Sequence, residues 1–116
     1  MVVDQRSDDR LGEAHVDRVF HALADGTRRD IVRRVLDAEQ SISDLARRYP
    51  MSMTAVQKHV AVLEGAGLVA KRRHGREQRV VAQMEAVRSA EALLDEYERL
   101  WRDRFDRMGE ILAPET

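Results

Sequence analysis

The side chains best suited to act on another molecule lie in two groups between Ser52 and Val81. In the first, Thr54, Ala55, Gln57, Lys58 and His59 follow Ser52 and offer a hydroxyl, a methyl, an amide, a cation and an imidazole close together. In the second, Arg72, Arg73, Arg76 and Arg79 surround Gly75. Amides and cations of this kind bind acceptor-rich, anionic surfaces by paired hydrogen bonds and charge. Over Ser52–Val81 the basic residues are Lys58, Lys71, Arg72, Arg73, Arg76 and Arg79, against Glu64 and Glu77, a balance of six to two. From Gln83 to Thr116 five Arg meet nine Asp or Glu, so a net charge of −1 hides a basic section beside an acidic one. That asymmetry points a basic face at an anionic partner.

Catalytic chemistry finds little support. There is no activated-nucleophile motif and no glycine loop in the strand context of a phosphate site. With no cysteine in the chain, thiolate catalysis, disulfides and cysteine-based metal sites are excluded together. The four histidines are His15, His21, His59 and His74, and none forms a ligand cluster in sequence. His15 and His21 are six apart, which does not stack them on one helical face. The sequence calls for no cofactor.

Elements must position those side chains, and the periodicity reads as helices with one hairpin. A chain of 116 residues has room for one domain, and with aromatics at 4% its core must come from Leu, Val, Ala, Ile and Met. Val16, Val19, Phe20 and Leu23 predict a first helix over about 14–24, broken by Asp25-Gly26. Thr27 and Asp30 have capping-box spacing before a second helix with Ile31, Val32, Val35 and Leu36 inward. Ser41 caps a short third helix, Asp44 to Arg48, which stops before Pro50. Ser52 caps a fourth that runs to about Glu64 with Val56, Val60 and Leu63 inward, and Gly65-Ala66-Gly67 ends it. Two short runs, Leu68 to Arg73 and Arg76 to Ala82, then make a hairpin about His74-Gly75. Met51, Met53 and Met84 read as core filler.

The last element is the longest. Val87, Ala90, Leu94, Tyr97, Trp101, Phe105, Met108 and Leu112 form an apolar stripe at helical steps of three and four. Such a helix outruns one small core, and the commonest cover for the remainder is a second copy of the chain. The expected organisation is a flexible segment 1–13, a domain 14–82, a dimerisation helix 83–112 of the same domain and a tail 113–116. No apolar run approaches the roughly 18 residues that span a bilayer. The expected location is the cytoplasm.

Mostly helical with a small β-hairpin, in the order α-α-α-α-β-β-α, this is the layout of a winged helix-turn-helix. The fourth helix would enter the major groove of double-stranded DNA, where base edges are distinguishable, and the hairpin would follow the backbone. Gln57 can pair bidentately with adenine, Lys58 can reach guanine or a phosphate, and Arg73 and Arg76 stand nearest the turn. Arg79 can pair instead with an acidic residue. A winged-helix module that binds protein is the competing reading, though such modules need an apolar patch more than a cluster of Arg.

The stretches FHALADGTRRDIV, SISDLARRYPMSMTAVQKHVAVLEGAGLVAKRRHGREQRV and YERLWRDRFDRM resemble the ArsR family of bacterial winged-helix regulators, continuously from Val19 to Val81. The resemblance implies a homodimer built from the first and last helices, with Val19, Leu94, Tyr97, Trp101, Phe105 and Met108 at the interface. It implies repression at a palindromic operator, with Ser52, Thr54, Ala55, Gln57, Lys58, His59, Arg72, Arg73 and Arg76 on the DNA. Gly26 stands where relatives often have Pro, and Gln57 where Ser is common, so the operator sequence does not carry over. Metal-binding relatives carry Cys-x-Cys-Asp-Leu where this chain has Ser41-Ile42-Ser43-Asp44-Leu45. Hydroxyls are poor ligands for soft metals, and no metal site is expected. A small organic effector would leave no motif and stays open.

Overall fold

Apolar residues recur three and four apart in the first half of the chain, and each such run forms a helix whose inner face meets the others. The computed structural model describes residues 5–112. Its elements are α1 (Gln5–Leu23), α2 (Gly26–Asp37), β1 (Gln40–Ser41), α3 (Ile42–Arg47), α4 (Met53–Gly65), β2 (Val69–His74), β3 (Glu77–Ala82) and α5 (Val87–Leu112), with one 3-10 turn at Met84–Ala86. The core gathers Val19 and Ala22, Ile31 and Val35, Leu45, Val56, Val60 and Leu63, Leu68, Val69 and Val80. At about 1.5–3 kcal/mol for each fully buried branched side chain, this cluster is the main stabilising term.

Caps set the helix starts. Ser41 Oγ accepts from the Asp44 amide at 3.0 Å, and Ser52 Oγ from the Ala55 amide at 3.1 Å, as their spacing predicts. At α2 the cap is Asp25, not Thr27: its carboxylate accepts from the Arg28 amide at 3.0 Å. Asp25 holds the extended backbone an N-cap needs, while Gly26 and Thr27 are already helical. That bond from the Arg28 amide also holds the Asp25 carboxyl below its ordinary pKa.

Three expectations about the elements change. α1 begins at Gln5, so residues 5–13, expected to be flexible, are largely helical. α3 starts at Ile42, directly after its Ser41 cap. A third strand, β1, joins the hairpin in the antiparallel order β1-β3-β2, through Gln40 opposite Val80 and Ser41 opposite Arg79. The element order is therefore α-α-β-α-α-β-β-α. Residues 1–4 and the expected tail 113–116 lie outside the described residues.

Some apolar residues also change place. Leu36 and Met53 are exposed, whereas Met51 and Met84 pack against the core as expected. Phe20, 38% exposed, lies at the rim of the α1 inner face. α5 divides sharply: Ala90 is buried in its first turns, and every described residue from Leu94 to Gly109 is exposed. The radius of gyration, 20.0 Å, exceeds the roughly 13 Å of a compact chain of this length because α5 stands away from the body.

Candidate nucleic-acid interface

α4 is built to turn one side inward and leave the other free. Val56, Val60 and Leu63 are fully buried, which anchors the helix at about 100° per residue. Thr54, Gln57, Lys58 and Ala61 then line an open groove of about 320 Å3. Its far wall comes from Lys71 and Gln78 of the hairpin, and Ile42 of α3 closes it. Ser52 is exposed at the tip of the helix and Ala55 half-buried beside it. A helix edged by a hairpin in this way presents amides, hydroxyls and cations side by side, the equipment for base edges and phosphates.

The hairpin divides its arginines by strand alternation. Arg73 lies opposite Gln78 and Lys71 opposite Val80, so these four share one face of the hairpin, from which Lys71 and Gln78 line the groove and Val80 enters the core. Arg72 lies opposite Arg79 on the other face. Gly75, at φ 64°, supplies the left-handed residue of the turn, and Arg73 Nε donates to its carbonyl at 3.4 Å. Arg76 stands exposed at the tip. Arg79 does pair with acidic groups, Glu39 at 3.6 Å and Glu77 at 3.8 Å, which ties the wing to the α2–β1 connection. Lys71 lies 3.8 Å from Glu64, so the wing is also held to the end of α4.

His59 is placed differently from the other α4 residues singled out. It is half-buried on the flank away from the wing, with Nδ1 3.3 Å from Arg28 Nη1. Arg28 in turn donates from Nε to the Ala22 carbonyl at 2.8 Å and from Nη2 to the His21 carbonyl at 3.0 Å. One guanidinium thus satisfies two carbonyls at the end of α1 and holds the side of α4. Ala61, Lys71, Gln78 and Arg28 were not singled out from the sequence. Lys71 and Gln78 were legible as alternating strand residues, but which face meets α4 depends on how the hairpin docks.

Val19 has no exposed surface: it is buried in the protomer's own core and has none to offer a second chain. Phe20 beside it is the α1 residue with surface to spare. On α5 the picture is the reverse, with Leu94, Tyr97, Trp101, Phe105 and Met108 all more than half exposed. Leu112 lies outside the residues whose side chains are described. Ser41 is buried and occupied as a helix cap, and among the described residues no three His, Cys, Asp or Glu gather as a metal site. No described helix is long and apolar enough to cross a membrane.

A short helix, a turn and a second helix, edged by a basic two-stranded wing, define a winged helix-turn-helix DNA-binding domain. Comparison with known proteins agrees. The profile of a helix-turn-helix domain family matches residues 23–72. The chain is 42% identical over 99 residues to the HTH-type transcriptional regulator Rv2034 of Mycobacterium tuberculosis, covering 85% of this chain and 90% of that one. It is 40% identical over 67 residues to the HTH-type transcriptional regulator YuzN of Bacillus subtilis, covering 52% and 73% respectively. Among solved structures, an ArsR-like transcriptional regulator from Rhodococcus sp. RHA1 superposes with a TM-score of 0.75 at 33% identity, covering 89% of this chain and 97% of that one. The chain belongs to the ArsR family of winged helix-turn-helix transcriptional regulators.

Proposed function

We propose that this regulator is a repressor that binds a palindromic operator as a homodimer, with no metal bound at the start of α3. The groove between α4 and the wing carries the reading, because it sets Thr54, Gln57 and Lys58 beside Lys71 and Gln78 in one exposed trough. In this reading Ser52, Thr54, Ala55, Gln57 and Lys58 meet the major groove, and Arg72, Arg73 and Arg76 meet the backbone or the adjacent minor groove. His59 contributes through Arg28, by setting where the helix lies. The exposed stripe on α5, with Phe20 of α1, supports the homodimer. Serines at positions 41 and 43, one of them already used as a cap, support a regulator that senses no thiophilic metal.

The test is retardation of a duplex carrying the inverted repeat upstream of the protein's own gene, against random duplex, over a range of salt. Affinity for the repeat is expected to be at least about a hundredfold higher and to fall steeply as salt rises, through counterion release. Arg76→Ala should weaken binding to both duplexes alike and reduce the salt slope by about one. Gln57→Ala should cost about 1–3 kcal/mol on the repeat and little on random DNA. Equal binding to both duplexes at every salt sinks the reading.

A further inference from the structure

Glu64 is a carboxylate set against its surroundings twice over. It lies in the last turn of α4, where the helix dipole favours a cation. It also borders the trough that the reading above gives to DNA. Gln57, Ala61 and Glu64 follow at steps of four and three, so they form one row along the wing side of α4. Ala61 carries only a methyl, which leaves the row open between the amide and the carboxylate. Glu39 and Glu77, the other carboxylates paired with the wing, both meet Arg79, on the opposite face of the hairpin.

Glu64 meets Lys71, with its Oε1 3.8 Å from Lys71 Nζ. That is a charge contact and not a hydrogen bond, so the ammonium keeps its three N–H groups for another acceptor. Among the described residues, the other cations assigned to DNA, Lys58, Arg72, Arg73 and Arg76, pair with no carboxylate. With α4 in the major groove and the wing at the adjacent minor groove, the strand of backbone between the two grooves crosses the trough. We propose that Lys71 meets a phosphate of that strand and that Glu64 holds it there in advance, which makes Glu64 a positioning residue for operator choice. The proposal rests on the operator reading above and adds two residues with opposite charges to it.

A held cation and a loose one treat DNA differently. A loose lysine reaches whichever phosphate is nearest, in any register, and so adds to binding on every sequence. A held lysine meets a phosphate only where base contacts have seated α4 in the matching register, and there its ordering is already complete. The carboxylate behind it repels a backbone that crosses the trough out of register. Glu64 thus lowers affinity for random DNA and sharpens the preference for the operator.

Glu64→Gln keeps the shape and removes the charge. It should bind random duplex about threefold more tightly, the size of one exposed charge contact, with a salt slope steeper by about one. On the inverted repeat its affinity should fall about twofold, because Lys71 must then be ordered on binding. Its urea midpoint should stay near that of wild type, since the lost ion pair and the relieved helix dipole offset each other. Lys71→Met should weaken binding to the repeat about threefold and to random duplex less, and adding Glu64→Gln to it should change the preference no further. Opposite shifts on the two duplexes support the proposal. A shift by one factor on both overturns it, by marking Glu64 as a bare charge or a structural tie. An effect that survives in the Lys71→Met background also overturns it. A wild-type chain that binds both duplexes alike overturns the operator reading and this one together. A discriminating wild type whose preference Glu64→Gln leaves intact overturns this proposal alone.

Discussion

His59 and Arg28 join the flank of α4 to α2 and the end of α1. Arg28 can only donate, so His59 Nδ1 is the acceptor of their 3.3 Å contact and the ring proton belongs on Nε2. The two amide side chains separate these roles, since Asn places its oxygen near the Nδ1 position and Gln near the Nε2 position. His59→Asn is expected to keep operator affinity within about threefold. Arg28→Ala and His59→Gln are expected to weaken it about fivefold, the equivalent of one hydrogen bond of about 1 kcal/mol. Retardation assays read the order. If Gln retains affinity and Asn loses it, His59 meets the DNA through Nε2 and Arg28 is only a helix cap.

The helix-turn-helix is held as a unit by a contact between elements. Tyr49, in the turn between α3 and α4, donates its hydroxyl to Asp30 of α2 at 2.6 Å. Arg34 donates to the same carboxylate oxygen at 2.9 Å and lies 5.8 Å from the centre of the Tyr49 ring. Tyr49→Phe should lower stability by about 1–2 kcal/mol in urea melts near pH 7, since it removes a bond to a charged acceptor. The Tyr49 bond, followed by that from Arg34, holds the Asp30 carboxyl below its ordinary range. A depressed carboxyl contributes stability above its unfolded pKa of about 3.9 and loses it as pH falls through the lower folded value. The gap between wild type and Tyr49→Phe should therefore narrow below about pH 4 and stay constant above about pH 5. Desolvation, with the Asp30 bond second, pushes the Tyr49 hydroxyl up to about 12. Its contribution is present below an unfolded pKa near 10 and is lost only as pH rises toward about 12. A gap that stays unchanged down to pH 3 would show that the bond to Asp30 contributes little.

At the scale of the molecule, α5 is the element that a single chain leaves unfinished. Its 26 residues span about 39 Å, and only its first turns meet the body. Trp101, 60% exposed, adds little to the protomer's own core. Trp101→Glu should therefore keep its helical circular dichroism while sedimenting as a monomer, and its operator affinity should fall at least tenfold as the two half-sites lose their linkage. A variant that stays dimeric at tens of micromolar places the interface elsewhere.

The caps Ser41 and Ser52, the inward faces of α2 and α4 at Ile31, Val56, Val60 and Leu63, and the Gly75 turn were legible in the sequence. Each depends on residues no more than four apart, where helix periodicity and side-chain capping operate. The candidate interface was legible to the same depth: Gln57 and Lys58 could be placed on an outer face, and Arg73 and Arg76 at the hairpin tip. Only the tertiary structure decided the rest. β1 exists because Gln40 and Ser41 find β3 far along the chain, and two residues carry no periodicity of their own. Asp25 displaces Thr27 as the cap because the α1–α2 turn leaves Asp25 extended. Val19 belongs to the core, and His59 to Arg28, because of how α1, α2 and α4 pack together. Composition and spacing determined the helices after α1, the β2–β3 hairpin and the chemistry they carry. Packing between distant segments decided which of those side chains remain free to meet another molecule, because burial depends on neighbours that local sequence does not name.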